Sequence, residues 1–215
     1  MRFRNREHAA RLLARRLEAS CRGTHPLVLA VPRGAVPMAR IIANELGGEL
    51  DVVLVRKLRH PDQPELAIGA IDENGQAFLS EYALEVDAGI VEEEKRRQLE
   101  TLRQRRAQYT PSRPPIDPQG RTVIVVDDGI ATGSTMIAAL RTVRARNPKK
   151  LVCAAAVASA HAARAIAREA DAVVCLKIPA DFYAVGQFFA DFDQVSDEEV
   201  IAILREAESN PSAAG

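Results

Sequence analysis

An α/β fold with a mainly parallel sheet flanked by helices is predicted by three observations. Short apolar runs recur at 26–31, 51–57, 151–159 and 171–179, with a further one opening at Arg121. They are nearly continuous rather than alternating, as strands buried on both faces are. Segments with helical spacing separate most of them, which is the chain order of βαβ units.

In order along the chain, Asn5 is placed to cap a helix whose apolar positions Ala9, Leu12, Leu13 and Leu17 share one face, ending before Gly23. PLVLAV (26–31) is a buried strand, followed by the turn PRGAVP and the helical MARIIANEL. DVVLVRK (51–57) reads as a second buried strand, and the twice Pro-broken 58–67 as a mobile loop. IGAIDENGQAFLS (68–80) is a hairpin turning at Asn74-Gly75. From about Val86 to Gln108 the pattern predicts a solvated helix along one edge of the core, with Glu92/Arg96 and Glu93/Arg97 at i,i+4. Four prolines make 110–119 an extended connector. Strand, turn and helix then follow at 121–147, strands at 151–159 and 171–179 around the helical 160–170, and a last helix at about 196–208. The expected organisation is one domain over 1–215, with a core at about 24–192 and a hood or insertion, carrying the charged helix, at about 58–119.

Composition narrows the function classes. With 29 Lys+Arg against 29 Asp+Glu, the chain has no global field to hold nucleic acid or an anionic membrane. The charged N-terminus and the lack of any apolar run near 18 residues argue against a signal peptide or a membrane span. Cys21, Cys153 and Cys175 lack metal-like spacing and read as reduced core thiols, so a cytoplasmic location is expected.

The chemistry concentrates in VIVVDDGIATGSTM (123–136). A β-branched strand carries Asp127 and Asp128 to its C-terminal edge, where ligands meet parallel sheets. Gly129, Ala131 and Gly133 keep the following turn small, so that backbone N–H groups can approach an anion, and Thr132, Ser134 and Thr135 add hydroxyls at a helix N-terminus. Carboxylates repel a bare phosphate, so they are expected to face ligand hydroxyls or a bridging cation. A phosphorylated sugar offers both features. A Walker A loop needs Gly-Lys-Ser/Thr, and no Lys follows Gly133; a dinucleotide fingerprint needs three spaced glycines where two stand. Two surface acids before a capped helix would explain Asp128 or Ser134 singly, but not the whole set.

This segment resembles the signature of the type I phosphoribosyltransferases, which bind 5-phosphoribosyl-1-pyrophosphate (PRPP), and the resemblance extends over roughly 27–192. It implies that Asp127 and Asp128 hold the ribose hydroxyls, and that Gly129 and Ile130 lead into a loop, Ala131 to Thr135, that holds the 5-phosphate. It also implies a pyrophosphate loop with unusual peptide geometry at Pro32-Arg33-Gly34-Ala35. There Gly34 admits close N–H groups and Arg33 supplies a donor fork. Arg56-Lys57-Leu58-Arg59-His60 would open a flexible hood in which Lys57 and Arg56 neutralise the departing pyrophosphate.

Residues 181–192 hold five of the nine aromatics and resemble the C-terminal segment of the hypoxanthine-guanine branch. That implies Tyr183 stacking on a base, Val185 beside it, and Asp191 helping to hold Mg²⁺, while Phe188 and Phe189 fit core packing. Ala131 and the Arg-Gly of the pyrophosphate loop look instead like adenine-type members, and Ala131 removes the acid that would serve as general base. The reaction implied is transfer of 5-phosphoribosyl from PRPP to a small nitrogen acceptor, expected to be a nucleobase, by a Mg²⁺-dependent homodimer. The competing reading is a PRPP- or nucleotide-sensing regulator, with Arg103, Arg105 and Arg106 as a contact surface; it lacks the aromatic–basic interleaving of single-strand binders.

Overall fold

The computed structural model describes residues 2–209. A five-stranded sheet forms its centre, from β1 (Leu27–Ala30), β2 (Glu49–Val52), β6 (Thr122–Ile130), β7 (Lys150–Ala158) and β8 (Ala172–Lys177), in the order β2-β1-β6-β7-β8. Every pairing in it is parallel. Strand β1 is buried along its whole length and β7 in all but its first residue, because helices cover both faces.

Helices α1 (Arg6–Cys21), α2 (Ala35–Leu46) and α6 (Asp197–Ser209) pack with Val28, Ile124 and Val126 on one face, and α4 (Ser134–Arg144) and α5 (Ala160–Ile166) with Leu29, Val123 and Val125 on the other. Helix α1 begins as its sequence predicts: the Asn5 side chain accepts the His8 N–H at 3.0 Å. The N-terminal strap is held further on, since Phe3 exchanges backbone hydrogen bonds with Phe188 and Ala190 at 2.8 Å each. Cys21 and Cys153 are buried, Cys175 is half-buried, and all three are free thiols.

The apolar run 51–57 proves to be two strands rather than one. Strand β2 ends at Val52, and β3 (Val55–Arg59) joins β4 (Ala67–Asp72) and β5 (Ala77–Leu79) in a separate antiparallel sheet. Continuous hydrophobicity does not mark the point at which a chain leaves one sheet for another. The hairpin turns where Asn74-Gly75 predicts, with Gly75 at φ +88° and Asp72 Oδ1 accepting the Asn74 N–H.

This small sheet lies between α4 and α3 (Ala88–Tyr109), and α3 departs from expectation. Its ion pairs run at i,i+3: Glu92–Lys95, Glu93–Arg96 and Glu94–Arg97. The helix is also less solvated than its charge suggests. Glu94 and Gln98 are buried against β3, where Glu94 accepts the Arg59 N–H and Gln98 accepts from the Arg56 guanidinium. Arg106 is sequestered as well. It bonds Asp51 at 2.8 Å, the Val52 carbonyl at 2.9 Å and both Glu73 oxygens at 2.5 Å, bolting helix and hairpin to β2. Asp51 is 1% exposed. Burial favours its neutral form, but Arg106 and Arg113 overcome this and hold its carboxyl below the usual value.

Among the described residues, no helix is long and apolar enough to cross a membrane.

Candidate active site

Strands β1 and β6 are neighbours, yet their following helices leave in opposite directions: α2 returns the chain to β2 on one side, and α4 carries it to β7 on the other. The crevice at such a switch point is where open α/β sheets bind ligands. Here it is bounded by two helix N-termini, that of α2 behind Pro32-Arg33-Gly34 and that of α4 behind Ala131-Thr132-Gly133. Unsatisfied N–H groups and the dipole make each end attractive to an anion. The N-cap residue of each is a glycine, Gly34 and Gly133, which brings no capping side chain.

The Pro32–Arg33 peptide is cis, which meets the expected unusual geometry of that loop. Ala35 is fully buried as the first residue of α2. Gly34 has a steric reason to be glycine: a Cβ there would lie 3.0 Å from Asp128 Cγ and nearer still to its Oδ2. The Asp128 carboxylate thus rests on the Gly34 backbone, joining two segments 94 residues apart in the chain.

The two acids occupy different environments. Asp128 follows Val126 onto the α1/α2 face, where Arg6 Nε meets its Oδ2 at 2.9 Å. Asp127 lies on the side of Cys153, and burial, with that neighbouring charge, pushes the Cys153 thiol up. Among the described residues Asp127 has no cationic partner; its Oδ1 accepts the Asp128 N–H at 2.8 Å. Desolvation, then the charge of Asp128, raises its carboxyl well above the usual range, although part of the residue's surface stays accessible. Desolvation also raises Asp128, against the pull of Arg6.

Gly129 and Ile130 belong to β6 rather than to the turn in which the sequence pattern places Gly129. A Cβ on Gly129 would lie 2.6 Å from Val185 Cγ2 and 3.0 Å from Val157 Cγ1. This glycine makes room for a side chain. The turn itself is Ala131 to Gly133, with Gly133 at φ +86°. Ser159 fastens it by donating its hydroxyl to the Ala131 carbonyl at 2.7 Å. The Thr132 and Ser134 hydroxyls lie 3.0 Å apart, and Ser134 and Thr135 open α4.

The basic residues do not converge. Arg33 turns to Asp197 at 3.3 Å, the same carboxylate that accepts the hydroxyl of buried Tyr109 at 2.5 Å. Arg56 and Lys57 project from opposite faces of β3, because successive side chains alternate. Arg56 meets Gln98 on α3, whereas Lys57 lines a groove of about 220 Å³ with Ser134, Ile137 and Arg141 of α4. The loop after β3 lies against the start of α3, where Arg59, His60, Pro61 and Pro64 line a cavity of about 720 Å³ away from the acids.

In the aromatic segment, Phe188 and Phe189 are core residues, as packing predicts. Val185 closes on Gly129, and the Tyr183 ring is 87% exposed. Lys177 does not face this segment's open side; its ammonium lies 5.6 Å from the Phe3 ring centre and 5.9 Å from that of Phe188. Asp191 borders a shallow groove with Asn5, Arg6 and Glu199. Among the described residues, no three Asp, Glu, His or Cys groups converge as a metal cage. Asp127 and Asp128 offer the hard oxygens that suit Mg²⁺ when substrate phosphates and water complete its shell.

Arg6 and Tyr109 are the site residues that motif reasoning missed. Their partners are far away in the chain, and an arginine in a helix already rich in arginine carries no local signal.

The sequence model of the phosphoribosyl transferase domain matches residues 4–193. The TT1426 protein of Thermus thermophilus, known from a crystal structure, is 47% identical, with a TM-score of 0.87 covering 96% of this chain and 99% of that one. Two Mycobacterium tuberculosis proteins, MT0597 of strain CDC 1551 and Rv0571c of strain H37Rv, both provisionally named phosphoribosyl transferases, are each 42% identical over 216 residues. The match takes in 99% of this chain, which spans about half the length of those relatives. The α/β fold with its crevice between the N-termini of α2 and α4 is thus joined by a match over most of the sequence: the chain belongs to the phosphoribosyl transferase domain family.

Proposed function

We propose that the protein transfers the 5-phosphoribosyl group of PRPP to a small nitrogen acceptor of the nucleobase class and releases pyrophosphate. The observation that carries this reading is the contact of Asp128 with Gly34, which sets a carboxylate pair between two helix N-termini. A ligand with a phosphate at each end and hydroxyls between matches that order.

In this reading the loop 131–135 takes the 5-phosphate, Asp127 and Asp128 accept the ribose hydroxyls, and Pro32 to Ala35 takes the pyrophosphate. Breaking the bond from C1 to pyrophosphate leaves oxocarbenium character on the ribose and negative charge on the leaving group. The α2 N–H groups stabilise that charge, joined by Arg33 once it releases Asp197. The acceptor nitrogen gives its lone pair to C1 from the side of Tyr183 and Val185. Asp127 and Asp128 would hold Mg²⁺, which would supply further charge neutralisation when bound. Asp191 is assigned a supporting place in that metal's water shell. Lys57 and Arg56 serve pyrophosphate only after the hood rearranges. We read 1–215 as one catalytic unit that works in the cytoplasm as a homodimer.

Calorimetric titration with PRPP, with and without Mg²⁺, tests the proposal, and base-dependent pyrophosphate release against purine, pyrimidine and pyridine bases identifies the acceptor. Binding abolished by Asp127→Asn/Asp128→Asn is expected. Absence of PRPP binding by the wild type in both metal conditions refutes the reading.

A further inference from the structure

Arg6 opens α1, 122 residues before Asp128, and each part of its guanidinium has a neighbour. Nε donates to Asp128 Oδ2 at 2.9 Å, and Nη1 donates to the Asp193 carbonyl at 2.5 Å. The flat face lies 3.8 Å from the centre of the Phe192 ring. Nη2 lies alongside Gly34, 3.2 Å from where a Cβ would stand. The Arg6 and Asp128 side chains are 14% and 13% exposed, so solvent screens the pair little. A planar fork held by two hydrogen bonds and a ring contact leaves Asp128 little rotational freedom. Elsewhere in α1, Arg11 pairs with Glu7 on the surface, with more than half of each side chain exposed, as a solvated helix face does.

We infer that Arg6 is a positioning residue of the sugar site, holding the Asp128 carboxylate on Gly34 at the angle that ribose hydroxyls require and coupling it to the 192–193 segment. This inference rests on the PRPP reading given above. Arg6 acts through Asp128 and makes none of these contacts to the 131–135 loop, so its loss separates sugar recognition from recognition of the 5-phosphate.

The test compares wild type, Arg6→Gln and Arg6→Lys by titration with PRPP and with inorganic phosphate, folding being monitored by thermal unfolding. Loss of a charge-assisted hydrogen bond predicts PRPP binding weakened about tenfold or more in Arg6→Gln. Phosphate affinity is expected to match wild type, and Arg6→Lys to recover part of the loss because a cation stays beside Asp128. Wild-type PRPP affinity in Arg6→Gln overturns the inference while leaving the PRPP reading intact. Equal losses for PRPP and phosphate overturn it too, since they mark a purely structural role, as does a lysine variant no better than glutamine. A wild type that binds no PRPP overturns the functional reading and this inference with it.

Discussion

Alanine at Gly129 tests whether this glycine makes room for Val185 or cradles an anion. The new methyl would stand 2.6 Å from Val185 Cγ2 and 3.0 Å from Val157 Cγ1, against ordinary contacts of 3.4–4 Å. Val185 Cγ1 would be nearer still, so turning the valine exchanges one clash for another. The strand is fixed by pairing of Gly129 with Val157, which leaves the short turn Val185–Phe188 to retreat. Overpacking of this kind costs about 1–3 kcal/mol, and at about 2–4 °C per kcal/mol for a chain of this length the melting temperature falls by about 2–12 °C. Val185→Ala removes the obstacle. In the double variant the two effects are expected to couple by about 1–3 kcal/mol, measured by urea unfolding of all four proteins. Inorganic phosphate is expected to bind Gly129→Ala as it binds wild type. Unchanged stability, additive losses in the cycle, or phosphate affinity that falls with the substitution would each contradict this steric account.

Gly34→Ala is expected to displace the Asp128 carboxylate and weaken PRPP binding at least tenfold by calorimetry with the circular dichroism spectrum retained, reading the lost contact as about 1.4 kcal/mol or more. Arg106→Ala leaves buried Asp51 with Arg113, at 3.0 Å, as its remaining cation beside the Val52 and Ile116 N–H groups, and is expected to cost about 3–5 kcal/mol by urea unfolding; a loss below about 1 kcal/mol contradicts the bolting role. Because the folded pKa of Asp51 is depressed, its contribution is present above the unfolded value of 3.8 and is lost as pH falls through the lower folded one. Asp51→Asn is therefore expected to flatten the acid limb of stability in that window. Asp127 runs the other way. Its raised folded pKa gives stability present below the unfolded value of 3.8 and lost as pH rises through the folded one. Asp127→Asn is expected to melt higher than wild type at about pH 7, with the gap closing toward acid, while PRPP binding weakens.

Much of the site was legible before folding because its parts are local. A β-branched strand, two acids, small residues and hydroxyls lie within 123–136, and helix capping and anion binding act over the same few residues. The cis peptide at Arg33 agrees with what the family resemblance implies, and the core packing of Phe188 and Phe189 with the habit of aromatics to fill cores. The basic run 56–60 does not converge here, because alternation along β3 sends Arg56 to α3 and Lys57 toward α4. Likewise Arg106, within a solvated-looking helix, is consumed by Asp51 and Glu73.

Local pattern was enough to set the α/β order of elements, the helix starts at Asn5 and Gly133, the hairpin at Asn74-Gly75 and the acids with their following turn. Periodicity and turn chemistry act over a few residues and need no distant partner. Packing between distant segments determined that DVVLVRK would divide between two sheets, that Gly129 would accommodate Val185, and that Arg6 and Gly34 would both meet Asp128. Those outcomes depend on which surfaces come together, and a contact spanning 122 residues leaves no trace in the spacing of either end.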